Sequence, residues 1–281
     1  MTLLGKGVDS SHHQNEDCNN NNNNNNSGHN SGHNGHRVLT LYVRAGCDNK
    51  KYGACPFCQR IFMVLMLKAA SCPLKFKVAT VPKSGLPDEF KEHGIRNLPA
   101  IIHGNEAIDT VEEIIDYIES EFPEPCLDVD NPVVDRLTRN FFSKFCYYIK
   151  AVSKDASGLE MELKRLDDYL RKNDYRFLAG NSLSHLDCEI LPKLHHMRVA
   201  ALKLKRFEFP TQCSGIWRYL NNAYNNEFFQ KSCPPDQEII LHWADRPDTP
   251  NLSYEEHSIL TRNTPRFSFD VPAIAMPVNL K

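Results

Sequence analysis

The sequence lacks any unbroken apolar stretch of about 18 residues, the length a helix needs to cross a hydrocarbon core. No ordinary transmembrane helix is therefore expected. The opening MTLLGKGVDSSHHQNED has no apolar core of the kind a secretory signal carries. Neither sign of charge is in excess: Lys+Arg number 33 and Asp+Glu 35, for a net charge of -2. That balance excludes a basic nucleic-acid coat and a polyacid, and no nucleic-acid partner is expected. A second C-x-x-C pair is missing, and so is any internal repeat. The ten cysteines are scattered rather than densely paired, so with no secretory signal they are expected to be reduced cytosolic thiols rather than a disulfide framework.

What is there suits a folded protein of two domains: 281 residues, 41% hydrophobic and 24% charged. Residues 1–36 stand apart. They hold an unbroken asparagine run, 19–26, and five of the twelve histidines, His12, His13, His29, His33 and His36. With almost no apolar residue the tail cannot offset its ordering entropy, and it reads as disordered. A metal-binding tract is one reading of the histidines and a variable polar tail is the favoured one.

Patterned sequence begins at residue 37. Strands are expected at 38–43, 74–81, 99–103 and 106–108, and helices at 59–70, 87–93 and 111–121. The order β-α-β-α-β-β-α defines an α/β domain over 37–122. Pro123, Pro125 and Pro132 mark a linker over 123–132. Residues 133–245 contain no convincing strand and are expected to be all-α, with helices at about 132–151, 157–173, 184–205, 212–224 and 235–244. From Arg246 to residue 281 the polar text punctuated by Pro247, Pro250, Pro265, Pro272 and Pro277 reads as a mostly irregular tail, within which 267–271 could dock as an extended strand.

The strongest chemical signal is Cys55-Pro-Phe-Cys58, between a strand and an apolar helix. At a helix N-terminus the free N–H groups and the macrodipole favour a thiolate. Cys55, at the helix mouth, is the expected nucleophile, and Cys58, one turn in, the resolving thiol. An inert structural pair and a metal site are the alternatives, and no metal is expected, because zinc would need two more ligands. Leu98-Pro99 precedes the third strand. A cis proline facing the cysteines would leave the Leu98 backbone free to pair with a peptide-like ligand, whereas a trans proline at a sheet edge would carry no such meaning. Asp109-Thr110 starts a helix and is either a plain cap or a carboxylate-binding N-terminus.

Other features read as structural. Ser184-His-Leu-Asp187 is a capping box. Pro192 implies a kink or early break in the helix it occupies. His195 and His196, being adjacent, face different sides and read as packing or surface residues. Lys203, Lys205 and Arg206 resemble a nuclear-import signal but suit a solvated helix end better. Cys188, Cys213 and Cys233 read as buried free thiols. A window from Ile61 to Val81 is long enough to cross a bilayer, but Arg60, Lys68, Lys75 and Lys77 lie in or beside it. Each central lysine would cost about 2.5–3.5 kcal/mol, so a buried core helix and strand is the expectation.

Three blocks carry a family resemblance: Gly53-Ala-Cys-Pro-Phe-Cys-Gln-Arg-Ile-Phe-Met-Val-Leu-Met-Leu-Lys68; Phe177-Leu-Ala-Gly-Asn181 continuing through Asp187-Cys-Glu-Ile-Leu-Pro-Lys-Leu-His195; and Trp217-Arg-Tyr-Leu-Asn-Asn-Ala-Tyr224 with Ser232-Cys-Pro-Pro-Asp-Gln237. Over about residues 37–245 the chain resembles the chloride intracellular channel family, and in the first block also omega-class glutathione transferases and glutaredoxins. The extended C-terminal tail is similar to invertebrate members. The resemblance implies a glutathione-transferase-like fold, α/β plus all-α, in which a thioredoxin-like domain precedes an all-helical one. It implies glutathione as the cofactor, with Cys55 the reactive thiol, Leu98 and Pro99 the backbone contact, and Asp109 and Thr110 the γ-glutamyl contact. It also implies a resting cytoplasmic form that enters membranes under redox or pH control. There the chain would meet lipids, self-associate and conduct chloride or other anions. A purely cytosolic omega-type transferase or thiol-disulfide oxidoreductase, and a non-catalytic scaffold, are the alternatives on the same fold.

Overall fold

The computed structural model describes residues 38–273. The histidine-rich tract and the last eight residues lie outside this span. The first domain is built on a four-stranded sheet in the order β2-β1-β3-β4. β1 (Leu39–Arg44) pairs in parallel with β2 (Phe76–Val81), Leu41 opposite Val78, and antiparallel with β3 (Ala100–His103), Leu41 opposite Ile101. β3 turns into β4 (Glu106–Ile108) through Gly104, whose positive φ of 67° suits a residue without Cβ.

Strand alternation sorts the core. Leu39, Leu41 and Val43 face the main core, while Tyr42 faces a smaller one with Val81, Phe90, Ile95 and Ala100. Phe90 comes from α2 (Asp88–His93), which covers that second face and ends at Gly94 with φ 69°. The main face is covered by α1 (Pro56–Ser71) and α3 (Val111–Glu121). α1 is buried almost all round, as its unbroken apolar run requires, because the sheet lies on one side and the second domain on the other.

The second domain is helical: α4 (Pro132–Thr138), α5 (Phe141–Tyr148), α6 (Ser157–Lys172), α7 (His185–Lys205), α8 (Ser214–Tyr224), α9 (Glu227–Ser232) and α10 (Asp236–Ala244). The single helix expected over 132–151 is two. The first ends at Thr138 and the second begins at Phe141, and at this junction the Thr138 hydroxyl donates back to the Val134 carbonyl and the Ser143 hydroxyl to that of Asn140. α7 is one helix of 21 residues in spite of Pro192; the early break does not occur. Its start is the capping box expected at Ser184 and Asp187. Its centre buries both His195 and His196, so neither is a surface residue.

The tail holds a helix that the proline spacing conceals, α11 (Tyr254–Arg262), opened by a capping box from Ser253 and Glu256. Residues 267–271 dock against the second domain but form no strand and join no sheet. The Ser268 hydroxyl donates to Asp236 at 2.6 Å, and the Phe269 ring stacks on Tyr224 at 5.2 Å.

Charged side chains join the two domains. Arg60 and Lys68 of α1 are buried. Arg60 meets Glu112 of α3 at 3.1 Å and Glu189 of α7 at 3.3 Å. Lys68 meets Glu119 of α3 at 2.6 Å and donates to the linker carbonyls of Pro123 and Pro125. Of the basic cluster that ends α7, Lys203 pairs with Glu256 of α11 at 2.8 Å, and Lys205 donates to the carbonyls of Lys150 and Ser153. No helix among the described residues is long and apolar enough to cross a membrane.

Candidate active site

Cys55 is the N-cap of α1. Its backbone is extended, and Pro56, which needs no N–H partner, opens the helix. The thiol is 8% exposed and Cys58 is 3% exposed. The Cys55 pKa is lowered to about 6: the Cys58 side chain is the main hydrogen-bond donor to the thiolate, the N–H groups of Cys58 and Phe57 add to it, and the Arg44 charge favours it further. Burial opposes the shift. Cys58 is pushed well above the usual thiol range, by burial first and then by its neighbour Cys55. The pair therefore divides its labour: one sulfur is charged at neutral pH and the other holds its proton.

The loop from Ala45 to Ala54 shapes the mouth. Its ends are pinned by the Gly53 N–H to Arg44 carbonyl bond, 2.7 Å, and a Cβ on Gly53 would come within 2.6 Å of the Ala45 carbonyl oxygen. Its tip is held from the second domain. Both carboxylate oxygens of Glu238, on α10, accept from the Cys47 N–H at 3.0 Å. Across the mouth, the Leu98–Pro99 peptide is cis. The turn ahead of it is clamped by Asp109, whose Oδ2 accepts from the N–H groups of Arg96, 2.7 Å, and Asn97, 2.8 Å.

Cys55 and Leu98 line one cleft of about 830 Å³. Cys58 lies beneath, against a small cavity shared with Gln59 and Ser232. Pro99, Asp109 and Thr110 are not part of the cleft lining; Thr110 is the N-cap of α3, its hydroxyl making no capping bond. Sequence reasoning missed Arg44, Lys83, Glu238, His242, Asp245, Arg246, His257 and Thr261, which complete the walls. Four of these lie in or just after α10 and two on α11, so no local motif marks them. No cluster of three or more His, Cys, Asp or Glu side chains suited to a metal ion occurs among the described residues.

A C-x-x-C thiol at a helix mouth, a cis proline opposite it and an all-helical second domain define the glutathione-transferase-like class of protein. Three solved structures share the architecture. They are the EXC-4 homologue of the chloride intracellular channels from C. elegans (TM-score 0.72, 25% identity, 85% of this chain and 95% of that one), a Chlamydomonas reinhardtii dehydroascorbate reductase (0.66, 26%, 73% and 97%) and, for the fold alone, a glutathione transferase Omega 1C from Trametes versicolor (0.57, 16%, 78% and 100%). Residues 37–125 match the family described as the CLIC-like N-terminal domain. Over 239 residues, 83% of this chain and 99% of its relative, the sequence is 35% identical to the chloride intracellular channel exl-1 of Caenorhabditis elegans. The chain belongs to the chloride intracellular channel family.

Proposed function

We propose that this protein is a glutathione-dependent thiol-disulfide oxidoreductase whose nucleophile is Cys55. The observation that carries the reading is a thiol with its pKa lowered to about 6 at the mouth of α1, facing a cleft large enough for a peptide. The Cys55 thiolate attacks one sulfur of a substrate disulfide. A Cys55–substrate disulfide forms, the substrate's own S–S bond breaks, and the second sulfur leaves as a thiolate. Cys58 then gives up its proton and attacks Cys55 Sγ. The substrate's remaining half leaves as a thiolate and the pair is left as a disulfide. Two glutathione thiols return the pair to the reduced state. One attacks Cys55 Sγ, frees Cys58 as a thiol and forms a mixed disulfide. A second attacks that disulfide, frees Cys55 and leaves as glutathione disulfide; the first of the two is the bound glutathione. Leu98 with Pro99, and Asp109 with Thr110, are proposed to hold it. Support for the second pair is indirect: Asp109 fixes the turn that presents Leu98 beside Cys55.

The test is glutathione-coupled reduction of a small disulfide and of dehydroascorbate, the substrate in the algal neighbour's name. Wild-type turnover that disappears in Cys55→Ser supports the reading. Folded wild-type protein with neither turnover nor glutathione binding overturns it.

A second reading comes with the family: the same chain enters membranes under redox or pH control, self-associates there and conducts chloride. The name of the nematode relative favours it. Entry would require α1 to leave its place between the domains and the buried charges of Arg60 and Lys68 to part from Glu112, Glu189 and Glu119. Chloride release from sealed liposomes, followed across pH about 5 to 7.5 with reduced and oxidised protein, decides it. No release under any condition from folded protein sinks it.

A further inference from the structure

The cleft before Cys55 is bounded by charge as well as by sulfur. Its two acids are already engaged. Asp245 pairs with Lys83 at 2.9 Å and approaches His257 at 3.7 Å, and Glu238 holds the Cys47 N–H through both oxygens. Its two guanidinium groups are not so engaged. Neither Arg44 nor Arg246 forms an ion pair with a carboxylate among the described residues.

Arg246 donates to His242 Nε2 at 2.8 Å and lies 4.2 Å over the Trp243 ring. Neither contact neutralises it, because burial and the neighbouring His196 and Arg246 keep His242 far below its usual pKa and hence uncharged. The two arginines come from different domains, Arg44 from the end of β1 and Arg246 from the turn after α10, and both side chains are exposed and line the cleft. Arg44 favours the Cys55 thiolate; burial lowers the Arg246 pKa, and the Cys146 and Cys55 sulfurs oppose that shift. A second cavity of about 580 Å³ continues from the cleft past Asp245, Arg246 and His257.

An uncommitted guanidinium in a concave, partly apolar site is a ready receptor for a carboxylate, through paired charge-assisted hydrogen bonds. Two of them, placed on facing domains around one reactive sulfur, select by charge. We infer that the oxidised substrate of this cleft is an anionic disulfide, its carboxylates received by Arg44 and Arg246 while its sulfur meets Cys55. The inference rests on the thiol-exchange reading and names its substrate class. In the exchange step the Cys55 thiolate forms a bond to the near sulfur. The S–S bond breaks, and the far half leaves as a thiolate with its own carboxylate. Leu241 and Phe57 in the same lining give the aliphatic part of such a molecule an apolar surface.

The experiment uses a matched pair of small symmetrical disulfides, the dianion 3,3′-dithiodipropionate and the dication cystamine. Their binding to full-length Cys55→Ser protein is measured by calorimetry, and their reduction by the wild type is measured as kcat/KM. The dianion should bind at least about tenfold more tightly, the scale of one charge-assisted contact. Arg44→Gln and Arg246→Gln, made separately in the Cys55→Ser background, should each weaken the dianion about threefold or more and leave cystamine unchanged or improved. Raised salt should narrow the difference. Arg44→Gln, at an exposed position, should leave the melting curve unchanged. Arg246→Gln also gives up its His242 and Trp243 contacts and should lower the melting temperature slightly, so retained cystamine binding serves as its folding control. Equal or tighter binding of cystamine, or a preference that survives both arginine changes, overturns the inference. If the wild type reduces neither disulfide while Cys55→Ser still binds the dianion selectively, the exchange reading fails and the anion site stands.

Discussion

The ammonium of Lys68 and the carboxylate of Glu119 meet at 2.6 Å, and the Lys68 side chain has no solvent exposure. The pair links the α1 helix that carries Cys55 to α3. Through Glu119, which also contacts His185 at 2.5 Å, it reaches α7. Removing one partner of a buried pair leaves an uncompensated charge in a low-dielectric site. Glu119→Gln should therefore lower the unfolding free energy by about 3 kcal/mol, read from urea denaturation. Lys68→Met, which removes the charge with little change of shape, should cost less. Equal losses would show that packing rather than charge sets the cost.

Asp187 should matter more than its place in a capping box suggests. It is fully buried and accepts from the Leu178 N–H at 2.9 Å, the Ser184 N–H at 2.9 Å, the Ser184 hydroxyl at 2.6 Å and the Tyr219 hydroxyl at 2.8 Å. Asp187→Ala leaves four buried donors without their acceptor. A loss of at least about 3 kcal/mol is expected, since each unsatisfied donor costs about 1–3 kcal/mol. A change within about 0.5 kcal/mol would refute this account of the α6–α7 junction.

Stability should fall on mild acidification. Burial keeps His195, His196 and His242 from protonating; His196 is lowered to about 3 and His242 to about 2. In the unfolded chain all three take protons near pH 6.5. As pH falls below 6.5 the unfolded state binds protons that the native state refuses, so the free energy of unfolding drops. The limit is about 1.4 kcal/mol per histidine for each pH unit. The urea midpoint should be clearly lower at pH 5.5 than at 7.5, and the gap should shrink in His196→Gln. A midpoint that rises on acidification would contradict these burial assignments.

The Cys58 thiol should be felt at Cys55. It is the main hydrogen-bond partner of the Cys55 thiolate, so Cys58→Ala should raise the Cys55 pKa, read from the pH dependence of its alkylation. The same pair shapes stability. Between about pH 6 and 9 the native state holds fewer protons at Cys55 than the unfolded chain does, so this group makes stability rise with pH. Above pH 9 the sign reverses, because Cys58 keeps its proton in the native state after the unfolded thiol has lost its own.

Much of the first domain was legible because its signals are local. The strands expected at 38–43 and 99–103 and the C-x-x-C at a helix mouth each depend on a few neighbouring residues. The pairing of Cys55 with Leu98 was legible only as an expectation, since it needs the sheet to bring residues 43 positions apart together. The break between α4 and α5 was hidden because the apolar spacing continues through it and no Gly or Pro marks residues 139–140. α9 is six residues long, too short for a periodic pattern. α11 carries a plain capping signal at Ser253 and Glu256 that the surrounding prolines mask. The arginines and Glu238 of the cleft had no signature at all. Their roles come from where α10 and the tail fold back, which is a tertiary fact.

The most direct test of the account is the rate of Cys55 alkylation by iodoacetamide as a function of pH. Mass mapping of the labelled peptide separates Cys55 from the other thiols. If Cys55 is the stabilised thiolate that α1 and Cys58 create, the rate should follow a titration centred near pH 6, with Cys58 unlabelled through neutral pH. A midpoint near 9, the value of an unassisted thiol, would contradict the account and leave the cleft without its nucleophile.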